Sequence, residues 1–196
     1  MANGIKRGRL FVISGPSGVG KGTLRERALD GMENLTYSIS CTTRGPRGAE
    51  RDGVEYRFIT ERDFEDRIKQ GKFLEYARVH GSYYGTLKED VERELNAGRD
   101  VLLEIDVQGA LQVRNVLPEA VLLFIAPPSL EELERRLRDR GTEDEDKIRT
   151  RLGNAARELE QSGKYDHVIV NGDLEAASSE LREIILNYRK GHGDKE

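Results

Sequence analysis

The chain has 196 residues, enough for one α/β domain with inserted lobes and a substantial buried core. Its 32 Lys and Arg stand against 36 Asp and Glu, and the net charge of −4 excludes a global basic field for nucleic acid or an anionic membrane. Cys41 is the only cysteine, so an internal disulfide is excluded and a reducing, cytoplasmic setting is expected.

Residues 1–9 are basic, but no signal-like apolar core and cleavage site follow. No run approaches the length of a membrane span. Residues 10–13 form a short apolar run that predicts a buried strand, and a helical pattern begins at Leu24. Asp30-Gly31 reads as a turn, and residues 36–40 as a short strand. Residues 41–48 contain Gly and Pro and are expected to form a loop. A strand is expected over 54–59. Thr60 should cap a helix over 61–69, with Asp63 at the third helical position.

Residues 73–80 alternate and read as a strand, 81–85 as a turn, and 87–97 as a helix closed by Gly98. Residues 101–105 predict a strand ending on Asp106, and 107–116 a helix stopped before Pro118. Seven apolar residues in succession over 120–126 are the pattern of a strand covered on both faces. Ser129 should cap a helix reaching about Arg140, and Gly141-Thr142 separates it from the next. There Ile148, Leu152, Ala155 and Leu159 recur at helical spacing. A strand over 167–170, a turn at Asn171-Gly172 and a helix over 174–188 complete the chain. Residues from Gly191 onward are expected to be a disordered tail.

Strands alternating with helices imply an α/β fold with a parallel sheet covered by helices on both faces. Ligands in such folds sit beyond the carboxyl ends of strands, where Ser14, Asp106 and the residues after Ala126 fall. The stretch Gly15-Pro-Ser-Gly-Val-Gly-Lys21 lies between a strand and a helix and fits the phosphate-binding P-loop. Its glycines free the backbone so that N–H groups can face phosphate oxygens, and Lys21 reaches the terminal phosphates. The pattern asks for Ser or Thr after the lysine, to hold Mg²⁺. Here that residue is Gly22, and Thr23 comes one place late.

Arg44 and Arg47 flank a turn stiffened by Pro46, with Gly53 and Tyr56 further along. Two guanidinium forks and a phenol suit a phosphate dianion; composition alone favours an ordinary solvated loop, and the P-loop raises the phosphate reading because a phosphotransferase needs a place for its acceptor. His80, His167 and His192 are isolated, and no His and Cys residues have metal-ligand spacing.

Several stretches, in this order, resemble the guanylate kinase family of the nucleoside monophosphate kinases. They are residues 15–23, 40–47, Gly53 with Tyr56, 73–75, 83–86, 104–109, 124–129, 140–142 and 168–171. The resemblance implies ATP-dependent phosphorylation of GMP, and of dGMP, in purine nucleotide metabolism and GMP recycling. It implies an ATP site at Gly15, Pro16, Ser17, Gly18, Val19, Gly20, Lys21, Gly22, Thr23 and Asn171. It implies that Arg44, Arg47, Tyr56 and Tyr84 hold the GMP phosphate, and that Glu75, Ser40 and Thr86, with Asp106 close by, read guanine. Lid arginines fall on Arg136, Arg140 and Arg151, which join Lys21, Arg44 and Asp106 as the catalytic set.

The expected division is a core (1–35, 89–128, 155–190), a GMP-binding lobe (36–88), a lid (129–154) and the tail 191–196. Mg²⁺ is expected with ATP, held largely through water that Asp106 orients. The partners expected are ATP and GMP, with neither nucleic acid nor membrane. Two alternatives stay open: a kinase for another nucleoside monophosphate, and a non-catalytic protein-binding module of the same fold.

Overall fold

The structure, a computed structural model, describes residues 6–79, 81–139 and 144–191. Nine strands and seven helices run through them in this order: β1 (Leu10–Ser14), α1 (Lys21–Leu29), β2 (Leu35–Tyr37), β3 (Cys41–Thr42), β4 (Arg57–Phe58), α2 (Glu61–Lys69), β5 (Phe73–Val79), β6 (Ser82–Leu87), α3 (Lys88–Asn96), β7 (Asp100–Glu104), α4 (Val107–Val116), β8 (Val121–Ala126), α5 (Leu130–Asp139), α6 (Glu145–Leu159), β9 (His167–Val170) and α7 (Leu174–Arg189). A 3-10 turn at Ser162–Lys164, which no sequence pattern announced, precedes β9.

One sheet has the order β2-β7-β1-β8-β9 and a second the order β4-β3-β6-β5. In the first, β2 runs parallel to β7, and β8 runs parallel to both β1 and β9. All five residues of β1 and all six of β8 are buried, as their unbroken apolar runs required. The chain divides into two compact units. One draws on Met1–Leu10, Asn34–Leu103 and Gln108–Ala120; the other on Phe11–Glu33, Glu104–Val107 and Val121–Glu196.

In the first unit the second sheet is mixed. β3 is parallel to β4 and antiparallel to β6, and β5 is antiparallel to β6. Four expectations change here. The strand expected at 36–40 ends at Tyr37, after which Ser38 N donates to Leu102 O at 3.0 Å. Cys41 and Thr42, expected in a loop, are a strand, and both are buried. Their partners lie on β4 and, some forty residues away, on β6, and Cys41 packs into a core with Phe64, Phe73 and Leu87. The strand expected at 54–59 shrinks to Arg57–Phe58, because Gly53 at φ 75 turns the chain just before it. The turn expected at 81–85 closes earlier: β6 begins at Ser82. Tyr83, Tyr84 and Thr86 are therefore strand residues with alternating faces. Thr60 caps α2 as its position predicted, its hydroxyl accepting from Asp63 N at 3.1 Å.

In the second unit α1 begins at Lys21, three residues ahead of the periodic apolar pattern. Helices α6 and α7 start on Asp144 and Asp173, whose carboxylates accept from Lys147 N and Ala176 N at 2.9 and 2.8 Å. Leu133, Leu137, Ile148 and Ala155 form the apolar contact of α5 with α6. Gly141, Thr142, His80, His192 and the rest of the expected tail, 192–196, lie outside the described residues, as does Arg140. No helix among the described residues is long and apolar enough to cross a membrane.

Candidate active site

The loop after β1 is built by close backbone approach. Gly15 has φ 143, and a Cβ there would stand 2.2 Å from Ile125 O, so no side chain fits. Gly20, at φ 92, leads directly into α1. Asn171, just past β9 and 5% exposed, donates from Nδ2 to Val19 O at 2.8 Å and so fixes the loop from behind. Lys21 folds back over the loop, its Nζ donating to Gly15 O at 2.6 Å and Pro16 O at 3.0 Å. The first turn of α1 directs N–H groups at whatever anion the loop takes. Thr23 is exposed on α1.

Arg136 and Arg151, expected as lid arginines, both reach this loop. Arg136, on α5, donates to Val19 O at 3.4 Å and Asn171 O at 3.0 Å, and is steadied by Glu132 at 2.8 Å. Arg151, on α6, donates from Nη1 to Ser17 Oγ at 2.6 Å. Arg135 and Arg138 instead pair with Glu132, Asp139 and Glu134 of their own helix, and Arg138 also with Glu145 at the start of α6. Glu132 holds two guanidinium groups, which keep its carboxyl at about 2. Glu158, on α6, has its pKa raised by burial, opposed by nearby Lys21 and assisted by Asp106. At the end of β7, Glu104 pairs with Arg25 at 3.2 Å.

The first unit carries a second cluster. Arg44 donates from Nε to the Tyr84 hydroxyl at 3.1 Å, and its other two nitrogens grip Glu50 at 2.6 and 2.7 Å. Its guanidinium lies 4.9 Å from the centre of the Tyr56 ring, and the Tyr56 and Tyr84 rings meet edge-on at 5.8 Å. Arg47 is exposed, and its backbone N donates to Glu50 at 2.8 Å. Hydrogen bonds from Arg44, and then from Arg47 N, hold the Glu50 carboxyl down at about 2, and Glu50 in turn raises the pKa of Arg44. Two residues along β6 from Tyr84, Thr86 is fully buried and donates to Glu75 Oε1 at 2.7 Å. Glu75 itself is only 4% exposed, so a carboxylate sits in the interior with a hydroxyl aimed at it. Ser40, half-buried, precedes β3 and accepts through its carbonyl from Arg57 N at 2.9 Å.

A family profile for guanylate kinase matches residues 7–188. The chain belongs to the guanylate kinase family. A guanylate kinase of Fusobacterium nucleatum is 52% identical over 180 residues, spanning 92% of this chain and 97% of its own. One from Thermus thermophilus is 50% identical over 187 residues, 95% of this chain and 84% of its own. The crystal structure of guanylate kinase from Anaplasma phagocytophilum superimposes with a TM-score of 0.76 at 32% identity, covering 97% of this chain and 89% of that one.

Sequence reasoning missed Glu50, Glu132 and the Arg25–Glu104 pair. Glu132 was legible in principle, since it stands four residues before Arg136 on one helix face. Glu50 was not, because it stands six positions along an irregular loop from Arg44. Glu104 and Arg25 belong to different elements, and no local pattern joins them.

Proposed function

We infer that this chain transfers the terminal phosphate of ATP to GMP, giving ADP and GDP, the activity of the family it belongs to. The observation that carries the acceptor assignment is on one strand. Tyr84 and Thr86 lie on the same face of β6, about 7 Å apart along it. One joins Arg44 and the other the buried carboxylate of Glu75. An anion anchor and a buried acceptor at that spacing suit the two ends of a nucleoside monophosphate.

Guanine presents N1–H and its N2 amine side by side, and one carboxylate of Glu75 accepts from both. Adenine offers an acceptor at N1 and would leave the buried charge without its partner, which disfavours AMP steeply. Arg44, Arg47, Tyr56 and Tyr84 take the phosphate of GMP, and Ser40, Glu75 and Thr86 take its base, a role the family likeness extends to Asp106. On the donor side Gly15, Pro16, Ser17, Gly18, Val19, Gly20, Lys21, Gly22 and Thr23 cradle ATP, with Asn171 behind them. The same assignment extends to dGMP, whose base and phosphate are unchanged.

The acceptor oxygen is already anionic, so no general base is required, and the protein's work is positioning and charge neutralisation. Lys21 gives up its loop carbonyls for the donor phosphates. Arg136 and Arg151 reach toward the loop from α5 and α6 and neutralise the migrating group, joined by Arg140 in the segment between them. A lid over 129–154 that excludes water prevents loss of the phosphoryl group to hydrolysis. The core over 1–35, 89–128 and 155–190 and the acceptor lobe over 36–88 follow from this division of labour.

Magnesium takes hard oxygen donors, keeps several waters and uses one or two carboxylates beside substrate phosphates. Glu104 and Asp106 at the end of β7 fit that chemistry, in the unit that carries the loop. When bound with ATP the ion would withdraw charge from the β- and γ-phosphates. A cytoplasmic location agrees with the free, buried thiol of Cys41.

A coupled assay of ADP release against GMP, dGMP, AMP, UMP and dTMP tests this reading. GMP should be turned over far faster than AMP, UMP and dTMP. Comparable rates with those three, or no turnover at all, would overturn it.

A further inference from the structure

The carboxylate of Glu75 is aimed by the backbone of β5, and that backbone is irregular at this point. Phe73 pairs with Leu87 and Glu75 with Thr86, so β5 advances two residues while β6 advances one, and Leu74 is the extra residue of a bulge. The bulge sets Glu75 directly opposite Thr86; in an unbroken ladder Leu74 would stand there. Because a bulge interrupts the ladder, the direction of Glu75 depends on what holds the chain just beyond it.

β5 ends the order β4-β3-β6-β5, and Tyr76 turns its N–H and C=O to the outer edge. One side chain takes both. Gln112, on α4 and in the same compact unit, accepts from Tyr76 N through Oε1 at 3.1 Å and donates from Nε2 to Tyr76 O at 2.9 Å. A primary amide carries the donor and the acceptor of a peptide group, so Gln112 stands in for one residue of a further strand. On the inner side Gly85, the β6 partner of Tyr76, lets the strands close up: a Cβ there would lie 3.0 Å from Glu75 O. The peptide unit between Glu75 and Tyr76 is therefore held from both edges. No local pattern announces this latch, since Gln112 lies 36 positions from Tyr76.

We propose that Gln112 is a positioning residue for acceptor specificity: by clasping the backbone of Tyr76 it fixes the direction from which the Glu75 carboxylate meets the guanine edge. Its effect passes through Glu75 and not through contact with the acceptor. The inference rests on the reading of Glu75 as the group that accepts from guanine N1–H and N2–H. A carboxylate that meets two donors side by side must be set in distance and in plane, whereas one that meets a single donor tolerates rotation. Loosening the clasp should therefore cost GMP more than IMP, whose base keeps N1–H and lacks the N2 amine. Tyr76 is 38% exposed, so water replaces the lost amide and global stability changes little.

The test is ADP release by the full chain at varied GMP and varied IMP, with ATP saturating, in wild type, Q112A and Q112E. In Q112A kcat/KM should fall about tenfold for GMP, short of the roughly hundredfold that a displacement of about 1 Å can cost, and about threefold or less for IMP. The loss for GMP should lie in KM, with kcat within about twofold, because the base takes no part in the transfer. KM for ATP and the urea midpoint should match wild type, and amide hydrogen exchange at Tyr76 should quicken. Q112E keeps an acceptor for Tyr76 N but sets a second acceptor against Tyr76 O, so it should lose discrimination as Q112A does.

A GMP:IMP ratio equal to that of wild type would overturn the inference, whether neither substrate is affected or both lose equally; the equal loss would mark a merely structural role. A matching rise in KM for ATP would overturn it too. If Q112A does not fold, Q112E decides by the same ratio. A wild-type chain that turns over IMP as well as GMP would instead refute base reading by Glu75, and one that turns over neither would refute the acceptor assignment itself.

Discussion

Replacing Glu75 by Gln changes the chemistry of the interior of the acceptor lobe at nearly constant volume. The amide keeps one oxygen for Thr86, whose hydroxyl now approaches Glu75 Oε1 at 2.7 Å, and turns the other carboxylate oxygen into a donor. In the GMP complex one guanine N–H then faces another N–H. Loss of a hydrogen bond to a charged group costs about 1.5–3 kcal/mol, and a buried donor without a partner adds about 1–3 kcal/mol. Glu75 is 4% exposed and Thr86 is fully buried, so solvent offers little relief and both terms apply. A total of about 2.5–6 kcal/mol corresponds to a fall of roughly sixtyfold to twenty-thousandfold in kcat/KM for GMP.

The free protein should not lose stability, since a buried charge is being removed. The assay is ADP release at varied GMP with ATP saturating, and the reverse, alongside urea unfolding. A loss below about threefold for GMP, or an equal loss for ATP, would refute base recognition by Glu75.

Lys21→Ala should abolish turnover while GMP still binds, measured by calorimetry; near-normal turnover would remove Lys21 from the donor site. The Glu50 carboxyl, held at about 2 by Arg44 against an ordinary 4.5, contributes stability that is present above 4.5 and lost as pH falls through 2. The difference in urea midpoint between wild type and Glu50→Gln should therefore be full at pH 6 and shrink toward pH 2, and a pH-independent difference would contradict the pairing. The Cys41 thiol is buried, and burial pushes its pKa up. It should react with a disulfide reagent far more slowly in the folded chain than in urea, and equal rates would show that the β3 core opens readily.

The glycine-rich loop after β1 is readable from local chemistry alone. Contiguous residues carry it, and each has a physical role. Gly15 admits the Ile125 carbonyl, Lys21 ends the loop, and the apolar residues of β1 and β8 demand burial. Helix starts at Thr60, Asp144 and Asp173 are likewise local, because a cap bonds to an N–H three residues on. In the acceptor lobe Arg44, Arg47 and Tyr56 suggested a phosphate site that only family likeness could raise above an ordinary loop, and Glu75, Tyr84 and Thr86 were legible only through that likeness. Arg44 reads as a surface arginine until Tyr84, forty residues away, brings a phenol to its Nε. Glu75 reads as an exposed strand residue until the register of β5 on β6 sets Thr86 against it.

The sequence by itself therefore determined the order of the helices, every strand but β3 and β6, the phosphate-loop pattern and the family. Only the tertiary structure decided that Cys41 and Thr42 pair as a strand and that Glu50 occupies the Arg44 fork. The physical reason is the range of the interactions. Helix periodicity, caps and glycine turns act over a few residues and leave their mark on neighbouring letters. Strand register and the Arg25–Glu104 pair join residues dozens of positions apart, and the irregular loop between Arg44 and Glu50 has no repeat to mark their pairing, so this geometry exists only once the chain has folded.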